Sequence, residues 1–360
     1  MADQDVLPAT LRPFLQQGVR AARLGESLVL ATDLSMYQFD GADAAHLGRI
    51  LPLLDGARTL EDIALDSGFD LEMIRSMVEP LYCEALLAER TDVSLPALLV
   101  YEHARNCGLL WHALSSWRDP LPKLIATGRI DAALVLGLLI EEWHYVSSNP
   151  IHASTAVLKA RAPRLRRLWA EFAAEEYEHG AWLESGLARV LTAEQLRWCR
   201  PLPGTAALCN QMRAVAESNQ LGYAACLALC EQSNDSASAD LQSEYYASLK
   251  ALHVLADEVF EPYERHTLTD IQAGHLAFTR IPFEQHGALT LVERLDLLGH
   301  VWDHVRAYEY FYRNIYEFYG SAGARLYAAP GTLPETSLPV GPAGGLQGMG
   351  STSTSRSSLV

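Results

Sequence analysis

The stretch 165–187, LRRLWAEFAAEEYEHGAWLESGL, decides how this 360-residue chain reads. Leu165, Leu168, Trp169, Phe172 and Ala173 recur at helical spacing, which predicts one long amphipathic helix. Glu175, Glu176 and His179 sit in its middle. Glu176 and His179 lie three residues apart, so their side chains leave the same helix face. A carboxylate and an imidazole one turn apart can grip a single metal ion, and the rest of the chain is read for further ligands.

Composition bounds the search. A chain of this length has room for two domains, and 49% apolar residues is ordinary for a globular protein. No apolar run approaches the roughly 20 residues that cross a bilayer. The start, MADQDVLPATLRPF, shows no basic-then-apolar leader, which predicts a cytoplasmic protein. Cys83, Cys107, Cys199, Cys209, Cys226 and Cys230 form neither C-x-x-C pairs nor a framework spacing and read as reduced thiols. A formal charge of -16 argues against a nucleic-acid partner, because counterion release needs a basic face.

In chain order, SLVLA and MYQFD within residues 25–40 predict a β-hairpin turning at Thr32-Asp33. Asp43 opens a helix toward Leu54, limited by Pro52 and closed by Asp55-Gly56. Thr59 and Asp62 form a T-x-x-D box for a helix that Gly68 ends. Asp70 starts LEMIRSMVEPLYCEALL, with Pro80 as a kink or boundary. From Leu95 onward the periodicity predicts helices over 97–117, 131–148, 163–190, 205–232, 239–261, 263–279 and 290–319. Capping boxes at Thr192 (T-x-x-Q) and Thr290 (T-x-x-E) mark two helix starts. SNDSAS, 233–238, is a polar connector, and residues 330–360, rich in Gly, Pro and Ser, predict a disordered tail.

Further ligand candidates lie on other helices. Glu231 ends the apolar run GYAACLALCEQ, where a carboxylate is costly unless it is paired or bound to a cation. His266 and Asp270 stand four apart and share a helix face. Three helices therefore offer Glu-x-x-His, a lone Glu and His-x-x-x-Asp, a donor set suited to two non-haem irons or manganese.

Two resemblances follow from these residues. The order of hairpin and three helices, containing LLDGARTLEDIA…SGFDLEMIRSMVEPLYCEALL, resembles the winged-helix domain of the pyrroloquinoline-quinone chaperone family. That resemblance implies an N-terminal domain over 1–95 that holds a peptide as an added strand. A helix-turn-helix on DNA would want basic residues where LEMIRSMVEPL offers one arginine among two acids. The landmarks PLPKLIATGRIDAALVLGLL, EEWHYVSSNPIHAS, AEEYEHG and GYAACLALCEQ make residues 96–329 similar to the haem-oxygenase-like oxidase family, kin to thiaminase-type and pyrroloquinoline-quinone synthase proteins. The fold this implies is mainly α: a haem-oxygenase-like helical bundle with a small α+β winged-helix domain ahead of it.

Carried over residue by residue, the family's ligand pattern falls on Glu176, His179, Glu231, His266 and Asp270. The last histidine of the family's H-x-x-x-D-x-x-H falls on Ala273, and the nearest histidine, His275, points away from Asp270 on a regular helix, at ~100° per residue. Either a π-bulge re-aims His275, or His286 substitutes, or the second metal is held weakly. A less favoured register uses His253 and Asp257. The resemblance implies two non-haem Fe2+, O2 as co-substrate and an external reductant. The expected activity is oxidation of a small amine- or amino-acid-derived metabolite, by N-oxygenation or oxidative C–C cleavage. The partners implied are that small molecule, a leader peptide or carrier for the N-terminal domain, and a second copy of the chain in a homodimer, with no membrane. Leader-guided modification of a ribosomal peptide is the second reading. A metal-free binding protein or cofactorless oxidase is the third.

Competing constellations carry less. Glu141 and His144 form a second Glu-x-x-His, but only about 35 residues with Pro150 and Pro163 separate it from Glu176. That leaves no room for the intervening ligand helix of a ferritin-like bundle, so the pair reads as core polar groups or site lining. His300 and His304 lie on an aromatic stripe that reads as packing.

Overall fold

Leu28, Val29 and Leu30 are all buried because their strand is the middle one of three. The computed structural model describes residues 6–32, 35–90, 92–119, 132–231, 238–320 and 325–328. In chain order β1 (Pro13–Leu15), β2 (Arg20–Leu24), β3 (Ser27–Ala31) and β4 (Met36–Phe39) precede α1 (Gly41–Ile50), α2 (Leu60–Ser67) and α3 (Leu71–Cys83). β5 (Leu87–Glu89) pairs antiparallel with β1, while β2, β3 and β4 form an antiparallel meander. The expected hairpin is thus β3–β4, with Leu28 opposite Phe39 and Leu30 opposite Tyr37. Asp33, in its expected turn, lies outside the described residues. β2, wholly exposed, carried no alternating apolar signal.

The local signals act as their chemistry requires. Thr59 accepts from the Asp62 amide while Asp62 accepts from Thr59, and Gly68 closes α2 at φ +72°. Asp70 caps α3, which continues through Pro80 to Cys83. After Ile50 a 3-10 turn, Leu51–Leu53, which contains Pro52, ends the first helical segment.

β6 (Leu95–Pro96) and α4 (Ala97–Leu114) begin the helical part, followed by α5 (Ala132–Val146), α6 (Asn149–Lys159), α7 (Pro163–Glu175) and α8 (His179–Leu187). Next come α9 (Ala193–Trp198), α10 (Pro203–Ser218), α11 (Gln220–Cys230), α12 (Ser238–Ala251) and α13 (Asp257–Ala273). α14 (His275–Phe278), α15 (Ile281–Glu284), β7 (Ala288–Leu289) and α16 (Leu291–Tyr319) complete the order. The protein is mainly α with a small α+β region at its N-terminus. No helix among the described residues is long and apolar enough to cross a membrane. All six cysteines are free. The expected tail, 330–360, and all of the SNDSAS connector except Ser238 lie outside the described residues, as do 120–131 of the PLPKLIATGRID landmark.

Several expected helices are broken, for local reasons. The helix read over 163–190 stops at Glu175 and restarts at His179. Beyond the break, Gly180 lets the backbone press on the end of α5, since a Cβ there would lie 2.5 Å from Ser147 Oγ. The helix read over 205–232 is split at Asn219, which takes an extended φ of -145° and caps α11 by accepting from the Gly222 amide. The boundary expected at Pro262 lies instead at residues 252–256, where His253 takes φ +52°. Pro262 falls early in α13, where its missing N–H forfeits a single helical hydrogen bond. The short helices α6, α9 and α15 had no strong apolar period to announce them.

One apolar core runs from Leu7, Leu30, Ile63 and Val78 of the α+β region through Tyr101 to Trp169 and Tyr223 of the bundle. A second joins α5, α8, α13 and the distal part of α16 through residues such as Leu139, Leu183, Phe260 and Ile315. The two regions are also pinned by polar contacts: the His103 ring lies 2.8 Å from the Tyr82 carbonyl, and Asn106 donates to the Cys83 carbonyl. Arg294, 2% exposed, pairs with Glu89 at 2.9 Å and donates to the Val93 carbonyl. Removing one member of a buried pair leaves the other uncompensated. Arg294→Ala should therefore lower unfolding stability by about 3–5 kcal/mol in chemical denaturation. A loss below about 1 kcal/mol would show that the pair is solvated.

Candidate metal centre

Glu176 is 2% exposed, and its two oxygens face different partners. Oε2 lies 3.3 Å from His179 Nδ1, and Oε1 lies 3.8 Å from His275 Nδ1. Asp270 Oδ1 lies 3.7 Å from each of those two nitrogens, while its Oδ2 lies 3.5 Å from His266 Nε2. Glu231 Oε2 closes the group at 3.5 Å from His275 Nδ1. Six side chains from five helix segments meet here: Glu176, His179, Glu231, His266, Asp270 and His275.

Most of them stand at helix ends. Glu176 follows the last residue of α7 and His179 is the first of α8, so the break in the expected long helix falls between the two. Glu231 is the C-cap of α11. Only His266 and Asp270 keep the mid-helix i, i+4 geometry read from the sequence.

His275 arrives by a route other than the expected π-bulge. Gly274 takes the left-handed conformation, φ +71°, which ends α13 and starts α14 in a new direction. A continuous helix would have turned His275 away from Asp270. The reversal turns it inward, where Phe172 packs edge-on at 5.3 Å between ring centroids. The alternatives lie elsewhere: His286, His253 and Asp257 are exposed.

Burying this much charge is costly unless something compensates it. Nine buried side-chain polar atoms have no hydrogen-bond partner among the described residues, and five belong to this cluster: His179 Nδ1, His266 Nε2, Asp270 Oδ1 and both nitrogens of His275. His179 Nδ1, His266 Nε2, Asp270 Oδ1 and His275 Nδ1 face the cluster, where cations would satisfy them, while His275 Nε2 lies on the other side of its ring, 3.3 Å from Glu175 Oε2. Two ligand triads meet the distance requirement: Glu176, His179 and His266, and Glu176, Asp270 and His275, each with donor atoms within 4.8 Å of one another. Glu176 belongs to both. The residues present therefore fit a pair of metal ions sharing one carboxylate.

The cluster's protons follow from its surroundings. Burial pushes the His266 imidazole down to about 4, so it is neutral and open to a metal at pH 7. Burial opposes the Glu176 charge, yet His179, His266 and the Asn149 amide hold its carboxyl below the usual range. Burial, then Glu231 and Glu176, push Asp270 up. Burial works against charge on His275, but Glu231, Asp270 and Glu176 hold its proton up to about 10.

A hydrogen-bonded chain absent from the sequence reading fixes Glu176. Asn149 donates to Oε2 at 2.8 Å, His152 Nε2 lies 3.1 Å from Asn149 Oδ1, and His152 Nδ1 lies 2.7 Å from the Tyr223 hydroxyl. The signal available was NPIHAS itself, where Asn149 and His152 stand three apart and share a face. The neighbouring pair belongs to the scaffold. Glu141 accepts from the Leu202 amide, Thr205 and Tyr319, and so caps the start of α10. His304 is buried between Cys230 and Gln211.

A cavity of about 580 Å³ opens beside the cluster, lined at this end by Asn149, Glu231, His266 and Asp270. No family model and no curated protein matches the chain. Among solved structures, the chain is similar to a domain of unknown function with a haem oxygenase-like fold from Shewanella denitrificans. That match has 15% identity and a TM-score of 0.48, over 60% of this chain and 90% of that one. It is also similar to a TenA homolog from Pseudomonas syringae pv. tomato, with 15% identity and a TM-score of 0.44 over 62% and 93%.

Two predictions follow from this geometry. A metal must displace the His275 proton, so Fe2+ affinity measured against a competing chelator should rise from pH 6.5 to 8.5, by about tenfold per pH unit for each proton released. A flat profile would show that His275 does not bind. Asn149→Ala frees Glu176 from its donor and should weaken metal binding about 10- to 100-fold, with an unchanged circular dichroism spectrum.

Proposed function

We propose that this protein is a haem-oxygenase-like, non-haem di-iron oxidoreductase that uses O2 to oxidise a small amine- or amino-acid-derived metabolite, by N-oxygenation or oxidative C–C cleavage. The observation that carries the reading is a pair of buried ligand triads sharing Glu176 beside a cavity of about 580 Å³. Three imidazoles and three carboxylates without a thiolate suit iron or manganese better than a structural zinc. Cys230, next in sequence to Glu231, is instead held against Tyr145 at 3.1 Å and His304 at 3.5 Å.

Each residue has a distinct task in this reading. Glu176 would contribute to both ligand sets, with Asn149 fixing its orientation. His179 and His266 would complete one set, and Asp270 and His275, with Glu231 beside them, the other. Bound iron supplies dioxygen activation, with an external reductant providing electrons as the reaction requires. The cavity orients the substrate toward the reacting centre.

A second reading, leader-guided modification of a ribosomal peptide, draws on the winged-helix resemblance and on one observation. β4 is an edge strand whose outer side pairs with no other strand among the described residues. Such an edge can accept an extended peptide.

Anaerobic Fe2+ titration followed by Mössbauer spectroscopy should find near two irons per chain. Glu176→Ala and His266→Ala should abolish this stoichiometry, and the loaded wild type should consume O2 when candidate amines are added. A chain that binds no iron would sink the oxidase and leave the metal-free binding protein or cofactorless oxidase.

A further inference from the structure

The cavity has a second polar end. Glu142 lines it together with Asp119, Tyr245, Tyr246 and Tyr312, whose phenols feel the Glu142 charge. Glu142 leaves α5 before its end at Val146, and Asn149 opens α6 after the turn that follows. α5 thus presents Glu142 to the cavity, while the segment that follows it steadies the metal centre.

Glu142 has no hydrogen bond and no ion pair among the described residues, and it stands partly buried in the cavity wall. Burial, then Asp119, raises its carboxyl to about 8. Among the described lining residues there is no lysine or arginine, whereas five tyrosines (Tyr145, Tyr245, Tyr246, Tyr308 and Tyr312) are present. A carboxyl in such a setting keeps its proton while the cavity is empty and ionises when a cation is placed against it. Aromatic faces beside it attract cations through their ring quadrupoles. Glu141, next in the chain, shows the contrast: it is fully buried and satisfied by three donors.

We propose that the Glu142 end of the cavity is a cation-binding subsite, which takes a primary ammonium or guanidinium group and directs the rest of a short chain toward the metal centre. The fate of that chain rests on the oxidase reading, but binding of the cation does not. Glu142 and the tyrosine faces hold the charged head, and the apolar wall of Leu138, Leu139 and Leu227 covers the aliphatic part.

Isothermal titration of the full chain with hexylamine, hexan-1-ol and hexanoate, with and without Fe2+, tests this. Hexylamine should bind about tenfold or more tighter than hexanol, and hexanoate weakest. Glu142→Gln should reduce hexylamine to the affinity of hexanol, with a Tm equal to or above that of the wild type, because a carboxyl that is protonated in the empty cavity has been replaced by a neutral isostere. Glu142→Asp, which keeps the charge but withdraws it by one methylene, should fall between the two and serves if the Gln variant fails to fold. An amine no tighter than the alcohol, or an amine preference that survives in Glu142→Gln, overturns the subsite. In Glu176→Ala the amine preference should persist after iron binding is lost, so failure of the metal centre and failure of the subsite give different results.

Discussion

A carboxylate cannot stay ionised in an apolar core without an opposite charge close by, and that constraint organises this molecule around Glu176. Its carboxyl is 2% exposed, is held by one amide donor and faces imidazoles on both sides. Lone replacement of such a group is easy to imagine. Six ionisable side chains gathered at one point are harder to explain by packing, since each adds desolvation and several have no partner. The scaffold pays for this cluster with two apolar cores and, at its other end, with a pinned α+β region. A bound cation pair would turn the same groups from a liability into a source of stability.

The fold delivers these groups mostly by ending helices. A regular helix can aim only residues three or four apart at one point, and the face rotates away beyond that. Interrupting α7 and α8 around Glu176, capping α11 at Glu231 and reversing the chain at Gly274 each free one side chain from that limit. At Gly274 an added Cβ would meet no atom within 4 Å, so the position needs glycine for its backbone conformation and not for space. Broken helices expose backbone groups, and the ends here are closed by local partners such as Asn219 on the Gly222 amide.

What the sequence showed and what it hid divide along the same line. Short-range chemistry was legible: the boxes at Thr59, Thr192 and Thr290 form as written, as does the β3–β4 pairing. Glu176, His179, Glu231, His266 and Asp270, which the structure brings together, stand out in the sequence because each lies at a helical spacing or in an apolar run where a charge is out of place. His275 was visible only as a misfit, since its position depends on the sign of one φ angle. Asn149, His152 and Tyr223 were missed as a chain because it links three helices far apart along the polypeptide, and no local period encodes such contacts. The helix read over 163–190 breaks between Glu175 and His179, and the close approach of Gly180 to Ser147 just beyond the break is a tertiary contact that periodicity does not register.

The cavity joins these features, since its wall includes members of the six-residue cluster as well as Glu142 and its neighbouring tyrosines. Its central claim is that two metal ions share Glu176. Anomalous diffraction at the iron edge, from crystals grown anaerobically with Fe2+, tests that claim most directly. Two peaks flanking the Glu176 carboxylate are predicted, one beside His179 and His266 and the other beside Asp270 and His275. A single peak, or iron bound anywhere but among these six side chains, would contradict the account.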